Sequence, residues 1–340
     1  MKYFLHIGPH KTGTTYIQRE CVTRRTELLN LGIHYPAIWN DQLYSHLGIY
    51  HQLRQGHNDF FAANFAQFLA DAPNAEYALI SSENLEELSQ EAIGILARHF
   101  TPSETKIIYY ARRWQPLLYS LWQEYIKHGG VKILPEYLME ETNNYFSNPG
   151  LNYNIVLDKF ANVYGADNVI VRSYDNLTGS GENLFNDIVS VITETKSSLS
   201  EHNYLTNQAF NILDIEIVRI LNSIFYSKYK IEDGSRIRDI YVSIKDNYQE
   251  SLVYLRENLD GFVREIGVPY QPERFLEVES VLLNKYKNVG PIMSGNSLFE
   301  QHGGEDSRID YYVSEILFNR DLYDILNDVV SRIEKTMNLN

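Results

Sequence analysis

The sequence predicts an α/β protein: a central parallel sheet with helices on both faces, continued by a largely helical C-terminal half. Three observations carry this expectation. Short apolar runs of strand character alternate with stretches of helical periodicity as far as about residue 190. The first such run ends in a turn rich in Gly, Pro and Thr that opens directly into a helical pattern. Beyond about Ser197 helical patterns dominate and strand signals become few.

In chain order, Tyr3–Ile7 reads as a buried first strand and Gly8–Thr15 as a turn. A helix is expected from about Thr14 to Leu29, with Ile17, Cys21 and Leu28 or Leu29 inward and Gly32 as its stop. Helical stretches follow near Leu43–Gln55 and Phe60–Ala70. Tyr77–Ile80 is a second strand ending in Ser81-Ser82-Glu83, and a helix near Gln90–His99 leads to a third strand, Lys106–Tyr110. Arg112 and Arg113 stand at its end, before a helix over Trp114–Lys127. A helix near Tyr153–Val163 precedes a fourth strand, Asn168–Arg172. Ile212–Ile224 and Asp321–Met337 carry clear helical patterns, and Gly290–Gly304 reads as a mobile loop. We therefore expect an α/β core over residues 1–196 and a helical region over 197–340 packed on it, on the acceptor side. There is no internal repeat.

Composition narrows the function classes. The chain has 340 residues, 44% of them hydrophobic and 22% charged, which fits a globular protein with a substantial core. Its net charge of −14 argues against long nucleic acids, which need a basic footprint. The charge is uneven: residues 1–130 hold 11 basic and 12 acidic side chains, so nearly all the excess lies later. A small polyanion is expected in the first third. Cys21 is the only cysteine, which excludes an intrachain disulfide and a cysteine-based zinc site. The histidines show no metal-ligand spacing, and no metal is expected. No apolar run approaches the roughly 20 residues of a membrane span. The start of the chain does not read as a signal peptide, so the expected compartment is the cytoplasm.

The most informative segment is Gly8-Pro-His-Lys-Thr-Gly-Thr-Thr15, between the first strand and the first helix. A helix N-terminus offers unpaired N–H groups and a favourable dipole to an anion. Gly13 permits close backbone approach, Thr14 and Thr15 bring hydroxyls, and Lys11 brings a mobile positive charge. Gly8 and Gly13 have the separation of the two glycines of a Walker A loop. The lysine that should follow the second glycine is missing, and no strand ends in a Walker B aspartate.

The run His6-Ile-Gly-Pro-His-Lys-Thr-Gly-Thr-Thr-Tyr-Ile-Gln18 resembles the 5′-phosphosulfate loop of sulfotransferases that use 3′-phosphoadenosine-5′-phosphosulfate (PAPS), bacterial carbohydrate-type members among them. The resemblance covers about residues 1–190 and implies the three-layer α/β/α, P-loop-like sulfotransferase fold. It implies that Lys11 contacts the 5′-phosphate and the oxygen bridging to sulfur, and that the loop Pro9, His10, Lys11, Thr12, Gly13, Thr14 and Thr15 wraps that phosphate. The family binds the 3′-phosphate with an Arg at a strand end and a Ser eight residues on. Arg112 and Ser120 match that spacing, with Arg113 as the competing assignment. Arg supplies a planar, permanent fork for phosphate and Ser one further donor. Val171–Leu177 resembles the turn that carries a Tyr near the adenine, which would be Tyr174; plain packing is the alternative for that ring. The family's basic C-terminal loop has no clear match, only Lys285, Lys287 and Arg308 as candidates.

Sulfuryl transfer needs positioning, charge stabilisation and a base for the acceptor proton. Glu83 is the first choice, after a strand and at a position resembling the catalytic Glu of the carbohydrate-acting branch. A plain helix-start charge is the alternative for Glu83. His46 is the second choice of base, and His10 is expected to shape the loop. The resemblance implies a hydroxyl acceptor on a sugar, glycan or lipid-linked saccharide, with PAP as product. Two other classes stay open at this level: a P-loop nucleotide phosphotransferase, and a non-catalytic nucleotide-binding relative.

Overall fold

The computed structural model describes residues 1–40, 44–72, 74–200, 210–267, 272–291, 298 and 308–339. In chain order it runs β1 (Lys2–His6), α1 (Thr14–Thr23), α2 (Arg25–Asn30), β2 (Ile33–His34), α3 (Leu47–Arg54), α4 (Asn58–Asp71), β3 (Tyr77–Ser81), α5 (Gln90–Leu96), β4 (Thr105–Ala111) and α6 (Trp114–Lys127). It continues with α7 (Leu134–Asn143), α8 (Tyr153–Tyr164), β5 (Val169–Ser173), α9 (Tyr174–Gly179), α10 (Leu184–Thr193), α11 (Ile212–Tyr229), α12 (Ser235–Ile244) and α13 (Gln249–Asn258). The last elements are β6 (Val263–Gly267), α14 (Pro272–Lys285), β7 (Asn288–Gly290), β8 (Arg308–Tyr312) and α15 (Arg320–Met337).

The expected α/β architecture is present. Six strands form one sheet in the order β2-β3-β1-β4-β5-β7, and every pairing in it is parallel. The four strands read from the sequence are its four interior members. The two edge strands span only two and three residues, too short to show a pattern. Strands β6 and β8 form a separate antiparallel pair.

Two compact units result. The first comprises Met1–Trp114, Tyr145–Asn203 and Gln271–Gln301, and the second Gln115–Asn144, Tyr204–Tyr270 and His302–Asn340. In the first unit, Phe4, Leu79, Ile108 and Tyr110 of the sheet pack on Ile17 and Cys21 of α1 and on Ile188, Val189 and Ile192 of α10. On the other face α8 lies against β4 and β5, with the Tyr109 and Tyr153 rings 5.7 Å apart. The sheet is thus covered on both sides, which makes three layers. In the second unit α11 buries Leu213, Ile217, Val218, Leu221 and Phe225. Helix α15 packs on α11 and α12 and buries Leu322, Leu326, Val329 and Ile333, one stripe at helical spacing. Among the described residues no helix is long and apolar enough to cross a membrane.

One expected helix is divided. The run from Thr14 to Leu29 breaks at Arg24, whose φ of −109° and ψ of 25° leave the helical region. Its buried guanidinium turns to Glu20 at 2.6 Å and Glu27 at 3.1 Å. The helix expected from Leu43 starts at Leu47, and positions 41–43 lie outside the described residues, as does most of Gly290–Gly304.

Candidate active site

In this strand order the chain leaves β1 toward β2 and β3 on one side, and β4 leads to β5 on the other. The order reverses between β1 and β4, and open α/β sheets hold ligands outside the carboxyl ends of the strands at such a point. The segments that leave those ends are Ile7–Gly13 after β1, Arg112–Arg113 after β4, the short 3-10 helix Glu83–Glu87 after β3, and α9 after β5.

The loop after β1 is stitched to the sheet: the Ile7 amide donates to the Ile108 carbonyl at 3.1 Å, and the Gly8 carbonyl accepts from the Tyr110 amide at 3.2 Å. Lys11 has a φ of 68° and Gly13 a φ of 74°, so the chain alternates hand as it enters α1. That is how a backbone turns successive N–H groups toward one point. Gly13 caps α1 and brings no side chain to cap the first turn. The φ of 74° disfavours any side chain at Gly13, and a Cβ there would also stand 2.6 Å from Leu184 Cδ1, which would have to shift. The four loop hydroxyls and rings divide their roles. Buried Thr12 donates to the Pro9 carbonyl at 2.7 Å and holds the turn. Thr14 is buried, Thr15 is exposed, and His10 is half-buried with Nε2 3.9 Å from Glu86 Oε1.

Arg112 reaches this loop. Its Nη1 donates to the Lys11 carbonyl at 2.5 Å, and its guanidinium lies 5.0 Å from the centre of the Tyr174 ring. Its Nε is buried without a partner, while its backbone carbonyl accepts from the Tyr153 hydroxyl. Tyr174 Cε2 lies 3.5 Å from where a Gly13 Cβ would be. Lys11, Gly13, Arg112 and Tyr174 therefore meet at one strand edge. Arg113 points elsewhere: its amide donates to Asp175 Oδ2 at 2.5 Å and its Nε is 3.6 Å from Asp175 Oδ1. Ser120 is half-buried on α6, in the second unit.

Glu83 opens the turn after β3, and its Oε2 accepts from Gln18 Nε2 at 2.8 Å. Gln18 is buried and also donates to Ser81 Oγ at 3.3 Å, while Ser81 Oγ is 2.8 Å from His6 Nδ1. Helix α1 thus runs from the loop to a hydrogen-bonded chain that holds Glu83. The sequence reading missed Gln18. Its signal was a polar side chain beside Ile17 on the inward face of α1.

His46 is not brought to the loop. It is fully buried, its Nδ1 accepts from the Ser81 amide at 2.9 Å, and its Nε2 donates to the Pro36 carbonyl at 3.0 Å. Burial pushes its pKa down to about 4. A neutral imidazole with its one lone pair already engaged has none left for an acceptor proton. Lys285 pairs with Asp158 at 2.6 Å and Lys287 with Asp167 at 2.8 Å, at the opposite, amino-terminal edge of β5 in the second case. The Arg308 side chain lies outside the described residues. A cavity of about 540 Å³ lies behind the Glu83–Glu87 turn, lined by Tyr50, Arg54, Glu87 and Glu91 among others.

Fold and site together define an α/β protein with a glycine-capped loop and an arginine at the switch point of a parallel sheet. Comparison of the chain with protein-family models, curated proteins and solved structures finds no match.

Proposed function

We propose that the chain is a PAPS-dependent sulfotransferase that moves the sulfuryl group to an acceptor hydroxyl on a carbohydrate or glycolipid intermediate, in the cytoplasm. The observation that supports this reading best is the meeting of Lys11, Gly13, Arg112 and Tyr174 at the switch point. A nucleotide with phosphates at both ends of its ribose needs an amide-rich turn, a second and separate cation, and an aromatic face for its base. The glycine-capped start of α1 offers its backbone amides to an anion, and the partnerless Arg112 Nε is a donor of the kind that such a ligand satisfies.

In this reading the amides of Gly13, Thr14 and Thr15 bind the 5′-phosphate and Arg112 the 3′-phosphate. Tyr174 stacks against the adenine. Glu83, oriented by Gln18, takes the proton of the acceptor hydroxyl as its oxygen forms the bond to sulfur. Lys11 meets the charge that develops on the 5′-phosphate oxygen as the old sulfur–oxygen bond breaks. PAP and the sulfated acceptor leave. Positioning and fixed charge carry the work.

Transfer of label from PAPS to a panel of saccharides, glycolipids and phenols tests this. Wild type is expected to label a hydroxyl acceptor. Glu83→Gln keeps size and the Gln18 contact yet removes the base, and is expected to slow turnover by about a hundredfold with PAP affinity unchanged. An equal rate in the variant rejects Glu83 as the base.

A further inference from the structure

A second carboxylate lies beneath the loop. Glu86 is on the turn after β3, its side chain is 16% exposed, and its Oε2 is buried with no partner. A Cβ at Gly8 would stand 3.1 Å from that oxygen, so the carboxyl group is the floor under the start of the loop. Its other oxygen is 3.9 Å from His10 Nε2, and the His10 amide donates to the group. Glu83 and Glu87 approach it from its own turn. From α8, Lys159 donates to the Glu86 carbonyl at 2.6 Å and the Leu88 carbonyl at 3.0 Å. From β4, the Tyr109 hydroxyl is buried without a partner and, like Tyr153 of α8, feels the Glu86 charge.

Resting on the reading that this loop holds a phosphorylated nucleotide, we propose that Glu86 is a positioning residue of the loop that must be a neutral acid for the anion to bind, and that its ionisation weakens the site. A carboxylate at this place would add negative charge beneath Gly8 and beside the His10 amide, at the start of the loop proposed to face the phosphate, in surroundings that screen it poorly. Burial, with the Glu87 and Glu83 charges added, pushes the Glu86 pKa up to about 8 against the pull of Lys159. Burial lowers the Lys159 pKa and raises that of Tyr109, so Tyr109 stays neutral throughout. A bound polyanion favours the protonated acid further, so binding near pH 8 takes up protons.

The test is calorimetric titration of the whole chain with PAP, and with ADP as a second phosphorylated adenine nucleotide, at pH 7 and pH 9.5. The second ionisation of a phosphate monoester has its midpoint near pH 6, so the ligand charge changes little over this interval. Wild-type affinity is expected to fall about tenfold, and the heat at pH 8 to depend on the buffer's ionisation enthalpy. Glu86→Gln is expected to stay within about twofold and to lose the proton uptake. A flat wild type, or the same fall in the variant, overturns the proposal. If ADP shows the Glu86-dependent fall and PAP does not bind, the sulfotransferase reading fails and Glu86 keeps its role. If neither nucleotide binds at pH 7, both fail. A ligand-free readout stands beside these. The native state keeps a proton that the unfolded chain, with a carboxyl at 4.5, releases, so Glu86 costs stability increasingly from pH 4.5 to about 8. The Tm of Glu86→Gln is expected to gain on wild type between pH 5 and pH 8, and a constant gap contradicts the proposal.

Discussion

The two units treat buried polar groups in opposite ways. In the second unit the buried charges answer one another: Asp214 accepts from the Tyr241 hydroxyl at 2.7 Å, and Arg219 Nη2 donates to Glu216 Oε1 at 2.6 Å. Asn222 Nδ2 donates to the Ile126 and Gly130 carbonyls at 2.7 and 2.9 Å. Among the described residues, the Asn222 side-chain oxygen is the one buried polar atom of that unit without a partner. At the strand ends of the first unit, His6 Nε2, Ser82 Oγ, Glu86 Oε2, Tyr109 Oη and Arg112 Nε are all buried and partnerless. A buried polar atom left unpaired costs about 1–3 kcal/mol, and a fold tolerates several together where a ligand or ordered water answers them. Other such atoms of the first unit, at His34, Trp39, Gln52, Asn152, Asn154 and Tyr164, lie apart from this edge, so the difference teaches that buried polar groups are paired more completely in the second unit, and the proposed ligand would answer those at the edge around β1, β3 and β4.

The sharpest way to break that comparison is Lys11→Ala. Loss of a charge aimed at the leaving group is expected to cut transfer roughly 10²–10³-fold. The thermal transition should hold, because Lys11 is half-buried in a loop that Gly8, Thr12 and Gly13 shape. Turnover within a few fold of wild type would remove the loop from the mechanism. Next in size is the adjacent arginine pair. Arg112→Ala is expected to weaken PAP about ten- to a hundredfold, the scale of a charged hydrogen bond. Arg113→Ala should change it about twofold at most, because Asp175 keeps its bond from the backbone amide. Equal effects would mean that the orientation of the two side chains carries no functional information. The smallest effect is the control in the second unit. Tyr241→Phe removes the hydroxyl that Asp214 accepts and should cost about 1 kcal/mol of stability with PAP affinity unchanged. A lowered affinity would blur the distinction between packing and site.

Much of the first unit was legible because its signals are local. Strand β1 is an apolar run bounded by a glycine, and the loop residues carry their chemistry in their types and spacing. Arg112 was picked out by its place after a strand, and the structure separates it from Arg113 through contacts that only the tertiary fold creates, with the Lys11 carbonyl and Asp175. The partners of Gln18 and Glu86 depend on contacts of the same kind. Gln18 shows in the sequence only as a polar residue on the inward face of α1, and a glutamate in the acidic run Glu83–Glu87 looks like a surface residue until β3 is set beside β1. That pairing, with α1 packed on the sheet, brings Glu83 to Gln18 and Glu86 beneath Gly8. His46 illustrates the converse: an available imidazole in the sequence is, in the fold, a fully bonded strut between the Ser81 amide and the Pro36 carbonyl. The break at Arg24 also escaped notice, since it depends on a buried guanidinium meeting Glu20 and Glu27.

The central claim is that the strand edge carrying Lys11 and Arg112 is a site for a nucleotide phosphorylated at both its 3′ and 5′ positions. Calorimetric titration of the wild-type chain at pH 7 with PAP, set against ATP with magnesium, tests it most directly. The account predicts PAP binding that holds in the presence of a metal chelator and exceeds ATP by at least about tenfold. No PAP binding, or a preference for ATP that depends on magnesium, would contradict it and point to a phosphotransferase instead.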